Sequence, residues 1–200
     1  MKKLLLLLMI VPMIGFSQTA NEYFEKAYDY AENGEYQLAI DNYTRAIRID
    51  PDFTKAYIYR GFAYRSSGKC EDASFDFTRA IKIAPDDPYV HEWYDYRGNA
   101  YGCLGNYEDA IADFTKAVRI NPDFSGAYSN RGNTYSSLGN YEDAIADYTR
   151  AIRIDPYAHY YKNRGITKED AGLPYCSDYK RACDLGEVDC CEWWYSSDCK

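Results

Sequence analysis

Residues 107–122 read YEDAIADFTKAVRINP, and residues 141–156 read YEDAIADYTRAIRIDP. The same columns return at 36–51, YQLAIDNYTRAIRIDP, and at 70–85, CEDASFDFTRAIKIAP. Each copy closes on a proline, and Pro51, Pro85, Pro122 and Pro156 are separated by 34, 37 and 34 residues. Gly34, Gly68, Gly105 and Gly139 keep the same spacing. A period of this length marks units that cannot bury their apolar faces alone and therefore stack. Stacked units present an extended surface in place of a closed catalytic pocket.

Aligned on the prolines, units of 34 residues fall at 20–53, 54–87, 91–124 and 125–158, with Pro88-Tyr89-Val90 inserted between the second and third. Each unit reads as two helices of about 14 residues around a glycine-containing turn. In the third unit these are His91 to Leu104, the turn Gly105-Asn106, and Tyr107 to Ile120. Asn106 and Asn140 are expected N-caps, with Asp109 and Asp143 placed to favour the first turn. The second helices end before the prolines, because proline disfavours a helical residue ahead of it. Gly61, Gly98 and Gly132, with Ala27 in the first unit, sit in mid-helix, where glycine costs about 1 kcal/mol in propensity. They are expected where helices approach closely. The second helices carry Ala39, Ala73, Ala110 and Ala144 in one column, then the rings of Tyr43, Phe77, Phe114 and Tyr148, then Ala46, Ala80, Ala117 and Ala151. Small residues opposite rings make knobs and sockets.

These columns resemble the tetratricopeptide repeat, whose signature sets Trp or Tyr, Leu-Gly, Tyr, Ala, Phe, Ala and Pro at fixed offsets. Here the pattern is Tyr94, Gly98, Tyr101, Gly105, Ala110, Phe114, Ala117 and Pro122, and it recurs from Tyr128 to Pro156. The resemblance spans residues 20–158 and implies an all-α fold, a right-handed α-solenoid of antiparallel helix pairs. One departure is consistent: Arg60, Arg97 and Arg131 stand where leucine is usual. They are expected to pair with Asp76, Asp113 or Asp147 as a structural ladder. Beyond Pro156 a degenerate fifth unit, residues 159–200, is expected as a cap. It would start at Tyr160 to Gly165, turn at Gly172-Leu173-Pro174, continue from Tyr175 to Leu185, and end in a helical turn or two between Glu187 and Tyr195.

In proteins of this family the first helices line a concave groove that holds an extended peptide or a partner's helix. Carried over by register, the groove here would present Phe24, Tyr28, Ile58, Phe62 and Arg65, then Asp95, Asn99, Ser129, Asn133 and Ser136. One end is aromatic and the other rich in amides, which both donate and accept and so suit a peptide backbone. Tyr59 and Tyr96 are equally read as packing between helices. Some members grip a partner's terminal carboxylates with lysine and arginine; Asp95 stands where a lysine would be needed, so that clamp is not expected. The implied partner is a protein or extended peptide.

The N-terminus reads as a signal peptide over residues 1–17. Lys2 and Lys3 precede the apolar run Leu4 to Ile14, and Gly15-Phe16-Ser17 offers a cleavage site after Ser17. The run is shorter than the roughly 20 residues of a membrane span, so no span is expected in the mature chain. The chain is expected to be exported, to the periplasm or beyond. Its formal charge of −8 becomes −10 without Lys2 and Lys3. An acidic surface lacks the basic face that nucleic acid requires.

Seven cysteines in an exported chain argue for disulfides, and an odd number leaves one over. Cys176, Cys183, Cys190, Cys191 and Cys199 crowd the last 25 residues. Cys176 and Cys183 lie about 10 Å apart along a helix, too far to bridge. If the chain turns back at Gly186, Cys183 faces Cys190 or Cys191, and Cys176 faces Cys199. Cys70 could pair with Cys103, since both sit near turns of adjacent units. Zinc is not expected, because no C-x-x-C pair or nearby histidine appears. His91 and His159 have no evident catalytic partners, and no nucleophile or phosphate-loop motif is present. The reading is a scaffold without catalytic residues, cofactor or metal. The alternatives are a spacer in an envelope assembly, or a thiol-redox protein using the C-terminal cysteines.

Overall fold

A computed structural model describes residues 18–196 and residue 199; the expected signal peptide lies outside these. Among the described residues there are eleven α-helices and no strand. They are α1 (Ala20–Glu32), α2 (Tyr36–Ile49), α3 (Thr54–Ser66), α4 (Cys70–Ile83), α5 (Val90–Cys103), α6 (Tyr107–Ile120), α7 (Ser125–Ser137), α8 (Tyr141–Ile154), α9 (Ala158–Asp170), α10 (Cys176–Asp184) and α11 (Val188–Ser196). From α1 to α10 each odd helix packs antiparallel on the next even one, the five pairs stack in chain order into a right-handed solenoid, and α11 packs on α10. No described helix is long and apolar enough to cross a membrane.

The turns explain the glycine spacing. Gly34, Gly68, Gly105 and Gly139 have φ between 74° and 76°, a left-handed conformation that side chains with a Cβ resist. The residue after each glycine donates its N–H to the tyrosine carbonyl five positions back, as Asn106 does to Tyr101 at 3.0 Å. This closes the helix C-terminus in a Schellman-type turn. Asn140 caps α8 through the Asp143 N–H, whereas Asn106 occupies the same position without a side-chain bond. Thr19 and Glu22 form a reciprocal capping box at the start of α1.

The mid-helix glycines face the rings. A Cβ placed on Gly61, Gly98 or Gly132 would lie 2.9, 2.7 or 3.0 Å from a ring carbon of Phe77, Phe114 or Tyr148. Gly165 repeats the contact with Tyr179 in the fifth unit, at 2.6 Å. These rings, with Tyr43 above Ala27, are almost fully buried. In the second to fifth units the close approach of first and second helices therefore depends on the missing side chain, whereas the first unit accommodates the methyl of Ala27.

The arginine ladder forms, and it reaches further than the sequence suggests. Arg97 donates from Nε and Nη2 to Asp113 at 2.6 and 2.8 Å, and from Nη1 to Thr78 of the preceding pair at 2.9 Å. Arg60 joins Asp76 and Thr44 in the same way, and Arg131 joins Asp147 and Thr115. The fifth unit continues the series with Arg164, Asp178 and Thr149. Burial raises the Asp76 carboxyl above its usual value despite the Arg60 bonds that oppose it. In the first unit the pair is replaced by exposed Lys26 and buried Asn42. No buried carboxylate is left there without its guanidinium.

Disulfides join Cys176 to Cys199, Cys183 to Cys191 and Cys70 to Cys103. Cys190, a disulfide candidate from the sequence, is instead the free thiol. Neighbours on a helix point about 100° apart, so once Cys191 faces Cys183, Cys190 turns inward against Tyr179 and Ala182. The tail expected to be helical between Glu187 and Tyr195 is helix α11, nine residues from Val188 to Ser196. Trp194 packs in this cluster, and the Trp193 ring lies 5.4 Å from Tyr179.

Candidate functional site

The odd-numbered helices touch one another across units, α1 with α3, α5 with α7 and α7 with α9. Their shared face carries the residues that the sequence assigns to partner binding. At its first end, Phe24 is buried among the rings of Tyr43, Phe53 and Tyr59. Tyr28 remains accessible, 5.6 Å from Tyr59. Phe62 lies half-buried between Tyr59 and Tyr96, with ring centroids 5.9 and 4.7 Å away. Tyr59 and Tyr96 thus pack between helices and line cavities as well. A cavity of about 250 Å³ opens between Tyr28, Glu32, Tyr36, Tyr59 and Phe62, and one of about 260 Å³ lies on the other side of the Tyr59–Phe62 wall.

The second half is built from amides. Asp95 is 5 % exposed and accepts from Asn99 Nδ2 at 3.0 Å and from Asn130 Nδ2 at 2.9 Å. Asn99 Nδ2 also reaches the Asp95 carbonyl oxygen at 2.9 Å. Because the carboxylate claims both NH₂ groups, the two side-chain oxygens point elsewhere. Burial pushes the Asp95 pKa up to about 6, against the bonds from Asn130 and Asn99. One repeat further on, Asn133 Oδ1 accepts from the Tyr148 hydroxyl at 2.7 Å and from Asn163 Nδ2 at 2.9 Å. Both acceptor directions of that oxygen are taken, which leaves the exposed Asn133 NH₂ as a donor. Cavities of about 280 and 210 Å³ lie on either side of Asn133.

The sequence expects ten residues to face a partner, but Phe24, Ile58, Asp95 and Ser129 are buried and form the floor. A repeat register identifies the face of a helix and not how deeply the neighbouring unit covers it. Tyr28, Phe62, Arg65, Asn99, Asn133 and Ser136 remain at least partly accessible. Asn130 and Asn163 complete the amide row. Asn163 was findable from the sequence, since it stands one repeat after Asn130. The Tyr148 hydroxyl as a support for Asn133 was not. No group of three or more His, Cys, Asp or Glu able to hold a metal occurs among the described residues.

Two family profiles match the chain, one described as TPR repeat over residues 27–68 and 98–139, the other as tetratricopeptide repeat over 125–157. No curated protein matches it by sequence. Among solved structures, MamA protein superposes with a TM-score of 0.74 at 24% identity, covering 85% of this chain and 93% of that one. MamA from Desulfovibrio magneticus RS-1 gives 0.71 at 18% identity, covering 91% and 98%. YrrB, described as a TPR protein with an unusual peptide-binding site, gives 0.66 at 19% identity, covering 84% and 86%. At these identities the likeness is one of fold.

Proposed function

We propose that this chain, which belongs to the tetratricopeptide repeat family, is a non-catalytic scaffold that holds extended protein segments along its first-helix face, in an oxidising compartment outside the cytoplasm. Tetratricopeptide repeat proteins bind proteins or peptides, and YrrB is one with a peptide-binding site. The observation that carries the reading is the row Asn99, Asn130 and Asn133. The buried Asp95 and Tyr148 consume one side of each amide, so the side left over is set before any ligand arrives. A preset row of amide donors and acceptors matches the alternating N–H and C=O groups of an extended backbone, and fixing it beforehand reduces the ordering cost of binding.

Export is supported by the lysine-led apolar run at the N-terminus and by six of seven cysteines lying in disulfides. The same pairing favours structural staples over redox work at the C-terminal end. Capture of partners by the mature chain, compared with Asn99→Ala/Asn133→Ala, tests the surface. Partners should be lost or strongly reduced with the double variant. The same partners captured undiminished would place the contact elsewhere.

A further inference from the structure

The three-residue insertion that breaks the repeat builds one cavity. It lies between α3 and α5, beneath the connection that carries Asp87 and Tyr89, and measures about 260 Å³. Ile58, Tyr59 and Phe62 wall one side, Trp93 and Tyr96 the other, and exposed Tyr89 overhangs it. Two carboxylates stand on this aromatic lining, and each is fixed by one oxygen only. Asp87 Oδ1 accepts the Tyr89 N–H at 2.8 Å, and Glu92 Oε2 accepts the Tyr96 hydroxyl at 2.9 Å. Neither has a lysine or arginine within 4.0 Å among the described residues, whereas Asp76, Asp113, Asp147 and Asp178 each have an arginine. Lys55, the one cation on the lining, is solvent-exposed and pairs with neither.

We propose that this cavity is a socket for one arginine or lysine side chain of the bound protein segment, an assignment that rests on the scaffold reading above. Ring faces attract a cation through their quadrupole, more strongly once water is displaced. The second oxygens of Asp87 and Glu92 supply charge-assisted acceptors at the same place. A neutral apolar side chain would use the rings but would strip water from two carboxylates and return nothing to them. The acidic net charge of the chain adds attraction for a basic segment.

The test titrates the isotopically labelled, oxidised chain with two peptides, acetyl-GSLRLSG-amide and the same peptide carrying citrulline, the neutral isostere, in place of arginine. NMR follows the Trp93 indole N–H as the socket signal and the Asn99 and Asn133 side-chain amides as the amide-row signal. The arginine peptide should shift Trp93 saturably, and the citrulline peptide should bind about tenfold more weakly or worse. Asp87→Asn/Glu92→Gln keeps an acceptor for the Tyr89 N–H and the Tyr96 hydroxyl, so it should fold normally while binding both peptides alike. Equal affinity of the two peptides for the unaltered chain overturns the socket. So does a shift confined to Asn99 and Asn133, which would leave the scaffold reading standing. No shift at any of these signals also overturns the socket, and the scaffold reading is then decided by the partner-capture experiment alone.

Discussion

Arg97 holds Asp113 inside its own helix pair and Thr78 in the pair before it, so one guanidinium fastens three helices. The arginine side chain is 12% exposed and the aspartate 3%. Removing one partner leaves the other charge buried and uncompensated. Asp113→Ala should therefore cost about 3–5 kcal/mol, while Thr78→Val removes a single hydrogen bond at about 1 kcal/mol. Arg97→Met/Asp113→Leu should cost far less than Asp113→Ala. Urea unfolding followed by circular dichroism checks the order, and a double replacement as costly as Asp113→Ala would show that the pair stabilises by more than mutual neutralisation.

Two glycines one turn apart in α5 should respond in opposite directions. Gly98→Ala drives a methyl into the Phe114 ring, whereas a Cβ on Gly102 meets nothing within 4 Å. Gly98→Ala should destabilise by about 1–3 kcal/mol through overpacking. Gly102→Ala should stabilise by about 0.5–1 kcal/mol through helix propensity. Thermal melts of the two variants side by side decide the point.

Thiol counting tests the cysteine pattern. Cys190 is fully buried, and burial raises its pKa, which lowers its thiolate content. The native oxidised chain should show almost no thiol reactive to a disulfide reagent, and one after unfolding. Two or more in the denatured chain would contradict the pairing described. Cys176→Ser/Cys199→Ser, which opens a closed loop of 23 residues, should cost about 2–4 kcal/mol.

Asp95 ties stability to pH. Its folded pKa of about 6 lies above the unfolded value of about 3.9. Between these values the folded state binds the extra proton, so this group's contribution is greatest below about pH 4 and is lost as pH rises through 6. The loss is of the order of 2–3 kcal/mol. In Asp95→Asn that portion of the pH dependence should vanish. Urea midpoints from pH 4 to 8 measure it, and an unchanged slope in the variant would assign the dependence to other groups.

What recurs with the period was readable from the residues. The turn glycines, the small-against-aromatic columns and the Arg–Asp ladder each appear several times, and repetition separates a packing rule from coincidence. The threonines of the ladder escaped because Thr44, Thr78, Thr115 and Thr149 each serve the arginine of the next unit, and a column-by-column reading stays inside one unit. The choice between Cys190 and Cys191 hung on the rotation of α11, which has no repeat to set its phase. Depth on the first-helix face was equally hidden. Phe24 and Phe62 share the character of their columns, yet the first is covered by Phe53 and Tyr59 while the second stays half open.

The bond between Cys70 and Cys103 has a mechanical meaning. It closes a covalent loop of 33 residues that contains α4, the inserted turn and nearly all of α5. If the chain is pulled from its two ends, helix pairs on either side can peel away and lengthen, but this loop cannot. It withholds about 110 Å of contour from any extension. Asp87, Tyr89, Glu92, Trp93 and Tyr96 all lie within it. Under tension the solenoid should behave as a spring with a rigid link at its centre, and the link carries both carboxylates and one wall of the aromatic socket.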